Sequence, residues 1–184
     1  MIRYCLATCF FLLYSTWVYS AEYGFNIDRA SLEQQGNDYV LNADINYRFS
    51  PKAKEALANG VPLTLAVSVK VDRLRKYIWN RTILDAALLF RLRYHALADM
   101  YQIINESSGV QRSFVSLDAA IEALGTLRSI PVLAAHRVKP QYRHTASVKT
   151  QLDIESLPLP LRPIAYISPQ WYLSSEWLVW SLEK

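Results

Sequence analysis

The chain has 184 residues and a formal net charge of +4. A charge this small, without a concentrated basic stripe, argues against a nucleic-acid-binding protein. Both cysteines, Cys5 and Cys9, lie within the first 20 residues, which we expect to be removed. The remaining chain would carry no thiol, so the sequence predicts neither disulfides nor thiolate metal sites.

The N-terminus has the pattern of a secretory signal peptide. Arg3 supplies positive charge, an apolar stretch runs from Leu6 to Val18, and Ser20 precedes the expected cleavage point. The apolar stretch of about thirteen residues is shorter than the roughly 20 that a membrane-spanning helix needs. We therefore predict a signal peptide over residues 1–20, cleaved near Ser20, and a single β-sandwich domain over residues 21–184.

The first elements of the exported chain are predicted as strand, helix and strand. Residues 39–49 and 63–71 alternate between apolar and polar side chains, which is the period of a half-buried strand. Between them, the run SPKAKEALANG predicts a short helix over 51–58. Ser50 can cap its start and Gly60 can close its end in the left-handed conformation.

The stretch RLRKYIWNR, residues 73–81, is the most suggestive polar segment. It mixes cations with large aromatic side chains, as found where proteins meet an anionic lipid surface or an acidic partner. The alternative is a solvated hairpin tip whose cations protect an exposed sheet edge from pairing with other chains. The candidate binding residues are Arg75, Lys76, Tyr77, Trp79 and Arg81.

Residues 84–96 can be read as a helix or as a strand. The alternation of Arg91, Arg93 and His95 with apolar neighbours favours the strand.

Three further elements follow before the C-terminal segment. Residues 100–105 and 110–115 predict a hairpin about a serine- and glycine-containing turn. The run SLDAAIEALG predicts a second helix over 117–124, capped by Ser116 and ended by Gly125. The period of two returns over residues 142–154.

Long strands with one polar face each are typical of antiparallel sheets. The sequence therefore predicts a mainly all-β fold, an antiparallel β-sandwich of immunoglobulin-like general architecture, with two short helices near residues 51–58 and 117–124.

The C-terminal segment is rich in proline and tryptophan. Three prolines in LPLPLRP predict an extended, polyproline-like crossover over 158–163. Residues 164–182 then read as the last strand, because Gln170, Glu176 and several serines make a membrane span too costly. We predict a structural role in the core for Trp171, Trp177 and Trp180, with the first two on one face.

These runs together resemble a known family. SPKAKEALANGVPLTL, LRYHAL, QRSFVSLDAAIEALGTLRSIPVL and LPLPLRPIAYISPQWYLSSEWLVW, in this order after a signal peptide, are similar to the proteobacterial domain of unknown function four-three-nine-zero. The resemblance implies an exported protein of a Gram-negative periplasm. Family members are often encoded near a membrane sensor kinase and its response regulator. No activity, substrate or catalytic residue follows from it.

Catalytic and cofactor motifs are absent from the sequence. His95, His136 and His144 are too far apart to share a metal on one element. No glycine forms a nucleophile elbow or a phosphate-binding loop. His144 falls on the apolar side of its strand, where a core imidazole is expected. The sequence thus predicts no cofactor and no metal, and leaves enzymatic activity uncertain with a non-enzyme favoured.

Three functional hypotheses follow. The first is a non-enzymatic protein-binding or envelope signalling accessory module, whose partner is an envelope protein such as a membrane sensor kinase, with peripheral contact to a membrane surface also open. The second is a hydrolase, which would need polar residues clustered around His95 or His136. The third is a lipid- or small-ligand-binding sandwich, which would need a large apolar cavity beneath Trp171 and Trp177.

Overall fold

A computed structural model describes residues 23–76 and 79–182. The predicted signal peptide lies outside these described residues, as does Tyr77. Nine strands and three short α-helices are present in the described part of the chain. The strands are β1 (Gly24–Gln35), β2 (Asp38–Arg48), β3 (Leu63–Arg73), β4 (Arg81–His95), β5 (Met100–Asn105), β6 (Gln111–Phe114), β7 (Thr126–Ala134), β8 (His144–Leu152) and β9 (Leu178–Leu182). The helices are α1 (Pro51–Ala58), α2 (Leu117–Gly125) and α3 (Arg162–Ile167).

The strands form two antiparallel sheets. One has three strands in the order β1-β2-β7, and the other has six in the order β6-β5-β4-β3-β8-β9. The mainly β, antiparallel sandwich predicted from the sequence is confirmed. The structure also confirms the strand predicted for residues 84–96, the hairpin β5-β6 and both predicted helices.

The two sheets enclose a continuous apolar core. In β3 the odd-numbered apolar residues from Leu63 to Val71 are all fully buried, as a period of two requires. The sheets are also joined by a polar contact, because Tyr47 of β2 and Thr150 of β8 share a buried hydrogen bond of 3.0 Å. Burial raises the pKa of the Tyr47 phenol far above its ordinary value, so this hydroxyl stays protonated.

The helix ends follow the predicted local chemistry. The side chain of Ser50 accepts a hydrogen bond from the amide of Ala53, and that of Ser116 accepts one from Ala119. Gly60 has a φ of +80°, the left-handed conformation that glycine adopts without steric cost.

The sequence did not predict β1 or β7. In β1 the pairing with β2 shifts between Ile27 and Arg29, and this bulge at Asp28 changes which side of the strand faces the core. The buried residues before and after the bulge are therefore out of phase. In β7, Pro131 interrupts a strand pattern, which is tolerated because β7 is at the edge of its sheet.

The prediction for the C-terminal segment was largely wrong. Residues 159–161 form a 3-10 turn rather than an extended crossover, and Pro163 is the second residue of α3, in the first turn, where a missing amide hydrogen costs nothing. A second 3-10 turn covers residues 169–171, and only Leu178–Leu182 forms a strand. Because these turns interrupt the segment, its side chains do not alternate between two faces.

The three tryptophans consequently differ in burial. Trp171 is 4% exposed and packs in the core, whereas Trp177 is 39% exposed. Trp180 is half-buried and packs against the core from β9. The core role is thus confirmed for Trp171, holds in part for Trp180 and was wrong for Trp177, which does not share a face with Trp171.

Candidate functional site

The predicted binding residues lie in the connection between β3 and β4. The backbone amide of Arg75 is 3.4 Å from the side-chain oxygen of Asn80, across the connection. Trp79 is 95% exposed, and Arg81 is exposed at the start of β4. Lys76 is also exposed, while Arg75 is half-buried. The structure therefore places Arg75, Lys76 and Trp79 in one connection and Arg81 directly after it, while Tyr77 lies outside the described residues.

This connection joins two interior strands of the six-stranded sheet. β3 has β8 on its other side, whereas β5 pairs only with Phe90–His95 of β4, so that residues 81–88 next to the connection have no described strand on that side. Beyond the end of β3, the amide of Leu74 still donates to the carbonyl of Arg143 at 2.8 Å. Because this end of β4 is exposed on that side, the cations of the connection also suit the protection of a sheet edge, the alternative given by the sequence.

Next to the connection, basic side chains from three strands lie in one row. Arg73 of β3 is directly opposite Arg81 of β4 on one side and His144 of β8 on the other. By the alternation of β3, Arg73 lies on the face that carries the buried Val69 and Val71. The row thus occupies the end of the inner face, where the apolar core stops.

The segment between β7 and β8 covers this row and completes a cleft of about 260 Å³. The guanidinium carbon of Arg73 lies 3.2 Å from the ring centre of Tyr142, a close cation–π contact. Arg137 donates a hydrogen bond to the carbonyl of Ile83. Ile83 is the extra residue of a bulge in β4, since its neighbours Thr82 and Leu84 pair with β3 and Ile83 itself does not. The cleft is lined by Arg73, Arg81, Thr82, Ile83, Arg137, Lys139, Tyr142 and His144.

His144 is the most deeply buried of these basic groups, being 4% exposed. Burial lowers its pKa, a hydrogen bond with the backbone of Tyr142 opposes that effect, and the positive charge of Arg73 lowers the pKa further. The buried position predicted for this imidazole is confirmed, although it lies in the basic row at the end of the apolar core.

Acidification is expected to destabilise the protein through His144. Its folded pKa is below the ordinary value of about 6.5, so the unfolded chain binds the proton more readily. The resulting stability is present above about pH 6.5 and is lost as the pH falls through the folded pKa. In circular dichroism melts between about pH 7 and pH 5, Tm should fall more steeply for the wild type than for His144→Gln. His136→Gln, which removes an exposed imidazole, is the matched control and should behave as the wild type does; equal slopes in all three proteins would contradict the prediction.

The other histidines do not assemble a catalytic cluster in the described part of the chain. His95 contacts Arg93 and Gln102, with Nε2 3.0 Å from the amide oxygen of Gln102. His136 is exposed in a 3-10 turn after β7. Among residues 23–76 and 79–182, no group of three or more histidine, cysteine or acidic side chains has the geometry of a metal site.

Apolar space lies away from the tryptophans. Trp171 borders a cleft of about 280 Å³, but Trp171 itself and Leu173 are buried in the packed core. A more apolar groove of about 420 Å³ lies between the β4-β5-β6 part of the large sheet and the α2-β7 segment. Its walls include Phe90, Ile103 and Leu124. A ligand-binding sandwich would therefore use this groove, or the larger cleft of about 700 Å³ beside Tyr47 and Phe49, rather than the predicted space beneath Trp171 and Trp177.

No helix among the described residues combines the length and apolar character that a bilayer crossing requires.

Sequence reasoning missed the part of the cleft that comes from the β7–β8 connection. Arg137 and Lys139 are far from the hairpin in the chain, and only the pairing of β3 with β8 brings their segment to Arg73. A local signal does exist, since the run HRVKP places two cations shortly before His144.

Comparison with known proteins identifies the family. The model of a domain of unknown function (DUF4390) matches residues 22–181, which confirms the resemblance carried by the sequence runs. No curated protein and no solved structure matches the chain. Because the family model covers most of the sequence, this chain belongs to the family defined by that domain of unknown function.

Proposed function

We propose that this chain is an exported, non-enzymatic protein of the Gram-negative periplasm that binds an acidic envelope protein through the β3–β4 connection. The exposure of Trp79, at 95% and between basic residues, is the observation that carries the proposal. A soluble protein gains no stability from so exposed an indole, whereas aromatic and arginine side chains are enriched where proteins bind each other.

The arrangement of charge supports an acidic partner. Arg75, Lys76 and Arg81 flank Trp79 in the chain, and Arg73 and Arg137 lie close behind them in the cleft. Cations grouped in this way speed the encounter with a negatively charged surface, while the aromatic side chain supplies apolar contact area. The extracytoplasmic part of a membrane sensor kinase is the partner that we expect.

Paired strands hold both ends of the connection in place. β3 and β4 are paired along their length, from Leu63 with Leu92 to Arg73 with Arg81. Because both of its ends are held, the connection loses less conformational entropy on association than a free chain segment would.

Charge reversal in the connection tests the proposal. A photo-reactive amino acid introduced at Arg143, which lies beside the connection, should crosslink the wild-type protein to one specific envelope protein, identified by mass spectrometry. Arg75→Glu with Lys76→Glu should abolish this crosslink, and Trp79→Ala should weaken affinity for the purified partner about 30-fold, as expected for a hot spot of about 2 kcal/mol.

The control carries equal charge changes elsewhere, Lys54→Glu with Arg112→Glu on α1 and β6, and should retain the crosslink. A crosslink that persists after reversal at Arg75 and Lys76 would rule out the connection as the binding surface. Cell fractionation with N-terminal sequencing tests export, for which we expect a periplasmic protein that begins near Ala21; a cytoplasmic protein that retains Met1 would contradict it.

A further inference from the structure

The row of Arg81, Arg73 and His144 places basic side chains next to one another, which is electrostatically unfavourable. The three residues are direct partners across neighbouring strands, where side chains on one face approach within about 5 Å. Like charges in such positions destabilise a sheet. Arg81 and Arg73 are both cations at every physiological pH, so their repulsion persists unless an anion lies between or beside them.

The described residues, 23–76 and 79–182, supply no such anion to the cleft. None of the described lining residues is acidic. The nearest acid in sequence, Asp72, belongs to the opposite face of β3 and accepts a hydrogen bond of 2.6 Å from the hydroxyl of Thr82. Arg73, Arg81, Arg137 and Lys139 form no ion pair with residues 23–76 or 79–182.

One donor in the cleft is buried without an acceptor. The Nε of Arg73 is inaccessible to solvent and has no hydrogen-bond partner among the described residues. Such a group costs free energy, which adds to the unfavourable energy of the basic row. The contact with the Tyr142 ring holds the guanidinium in one place, so its donors are oriented in advance.

From these observations we propose that the cleft is a binding site for a phosphate group. Arginine presents paired donors that match the oxygens of a phosphate, and lysine adds a point charge. The volume of about 260 Å³ suits a small anion or a headgroup more than a large organic ligand. The phosphate group can come from a free phosphate compound or from an anionic lipid.

This site adjoins the protein-binding surface proposed above and shares Arg81 with it. Arg137 and Lys139 belong to the β7–β8 connection, whereas Arg75, Lys76 and Trp79 belong to the β3–β4 connection. Substitutions at Arg137 and Lys139 therefore leave Arg75, Lys76 and Trp79 unchanged, and the reverse also holds, so either proposal can fail alone.

Thermal unfolding with inorganic phosphate tests the site. Against sodium chloride of equal ionic strength, phosphate at a hundredfold excess over Kd should raise Tm of the wild-type protein by about 5–10 °C. Arg137→Gln with Lys139→Gln should remove most of this rise, while Lys54→Gln with Arg112→Gln, which removes equal charge elsewhere, should leave it intact. Arg81→Gln is a second variant in case the first fails to fold. It should weaken phosphate binding without lowering Tm in phosphate-free buffer, because it removes a repelling charge.

Vesicles distinguish the two sources of the phosphate group. If vesicles containing phosphatidylglycerol sediment the wild-type protein but not the Arg137→Gln, Lys139→Gln variant, and phosphatidylcholine vesicles sediment neither, the site takes a lipid headgroup. A rise in Tm with phosphate and no sedimentation assigns it to a soluble phosphate compound. No response to either probe, or a response that both charge variants share, would overturn the proposal.

Discussion

Replacing Trp171 with alanine is expected to lower the free energy of unfolding by about 3–5 kcal/mol, the range for removing a buried tryptophan. Its side chain is 4% exposed, and the 3-10 turn that carries it contacts both α1 and α3. The substitution would leave a cavity where the C-terminal segment packs on the sandwich. Denaturant unfolding followed by circular dichroism measures the change without relying on tryptophan fluorescence.

Trp177→Ala is the matched control for this measurement. Trp177 is 39% exposed, and its ring lies 5.3 Å from the ammonium group of Lys70. An exposed cation–π contact contributes about 0.5–1 kcal/mol, so we expect a loss of about 1 kcal/mol. Similar losses for the two variants would contradict the different burial of the two tryptophans.

Gly125→Ala is expected to be the second severe substitution, although alanine normally favours a helix. A Cβ at this position would be 2.1 Å from the carbonyl oxygen of Ile45 and 3.3 Å from its carbonyl carbon. Both atoms belong to the backbone of β2, which can move only by disturbing the sheet. We expect a loss of about 3 kcal/mol from overpacking, more than the roughly 1 kcal/mol that alanine gains over glycine in a helix.

The control for Gly125 is Gly109→Ala in the turn between β5 and β6. There a Cβ would have no neighbour within 4 Å, but φ is +70°. The expected cost is about 1–2 kcal/mol, which comes only from the left-handed backbone. Chemical denaturation of both variants gives the comparison, and a Gly125→Ala protein as stable as the wild type would show that α2 does not approach β2 this closely.

Trp171 and Gly125 illustrate different limits of sequence reasoning. The sequence places Gly125 at a helix end, which is correct, but its close approach to Ile45 is a contact between segments 80 residues apart in the chain. For Trp171 the burial was predicted correctly, but its strand was not, because proline-rich segments suit both extended chain and the first turn of a helix.

The candidate sites divide in a similar way. The β3–β4 connection could be predicted because its cations and aromatics are adjacent in the chain. The phosphate-type cleft could not, since Arg73, Arg137 and His144 meet only through the pairing of β3 with β8 and the path of the β7–β8 connection.

The sequence by itself determined the features that depend on residues close together in the chain. The burial of alternate residues in β3 and the serine caps of α1 and α2 each follow from geometry within a few residues. The tertiary structure alone decided the order of the strands, the burial of the C-terminal segment and the cluster of basic residues at one end of the core. These features depend on which distant segments pair, and local periodicity carries no information about the partner of a strand.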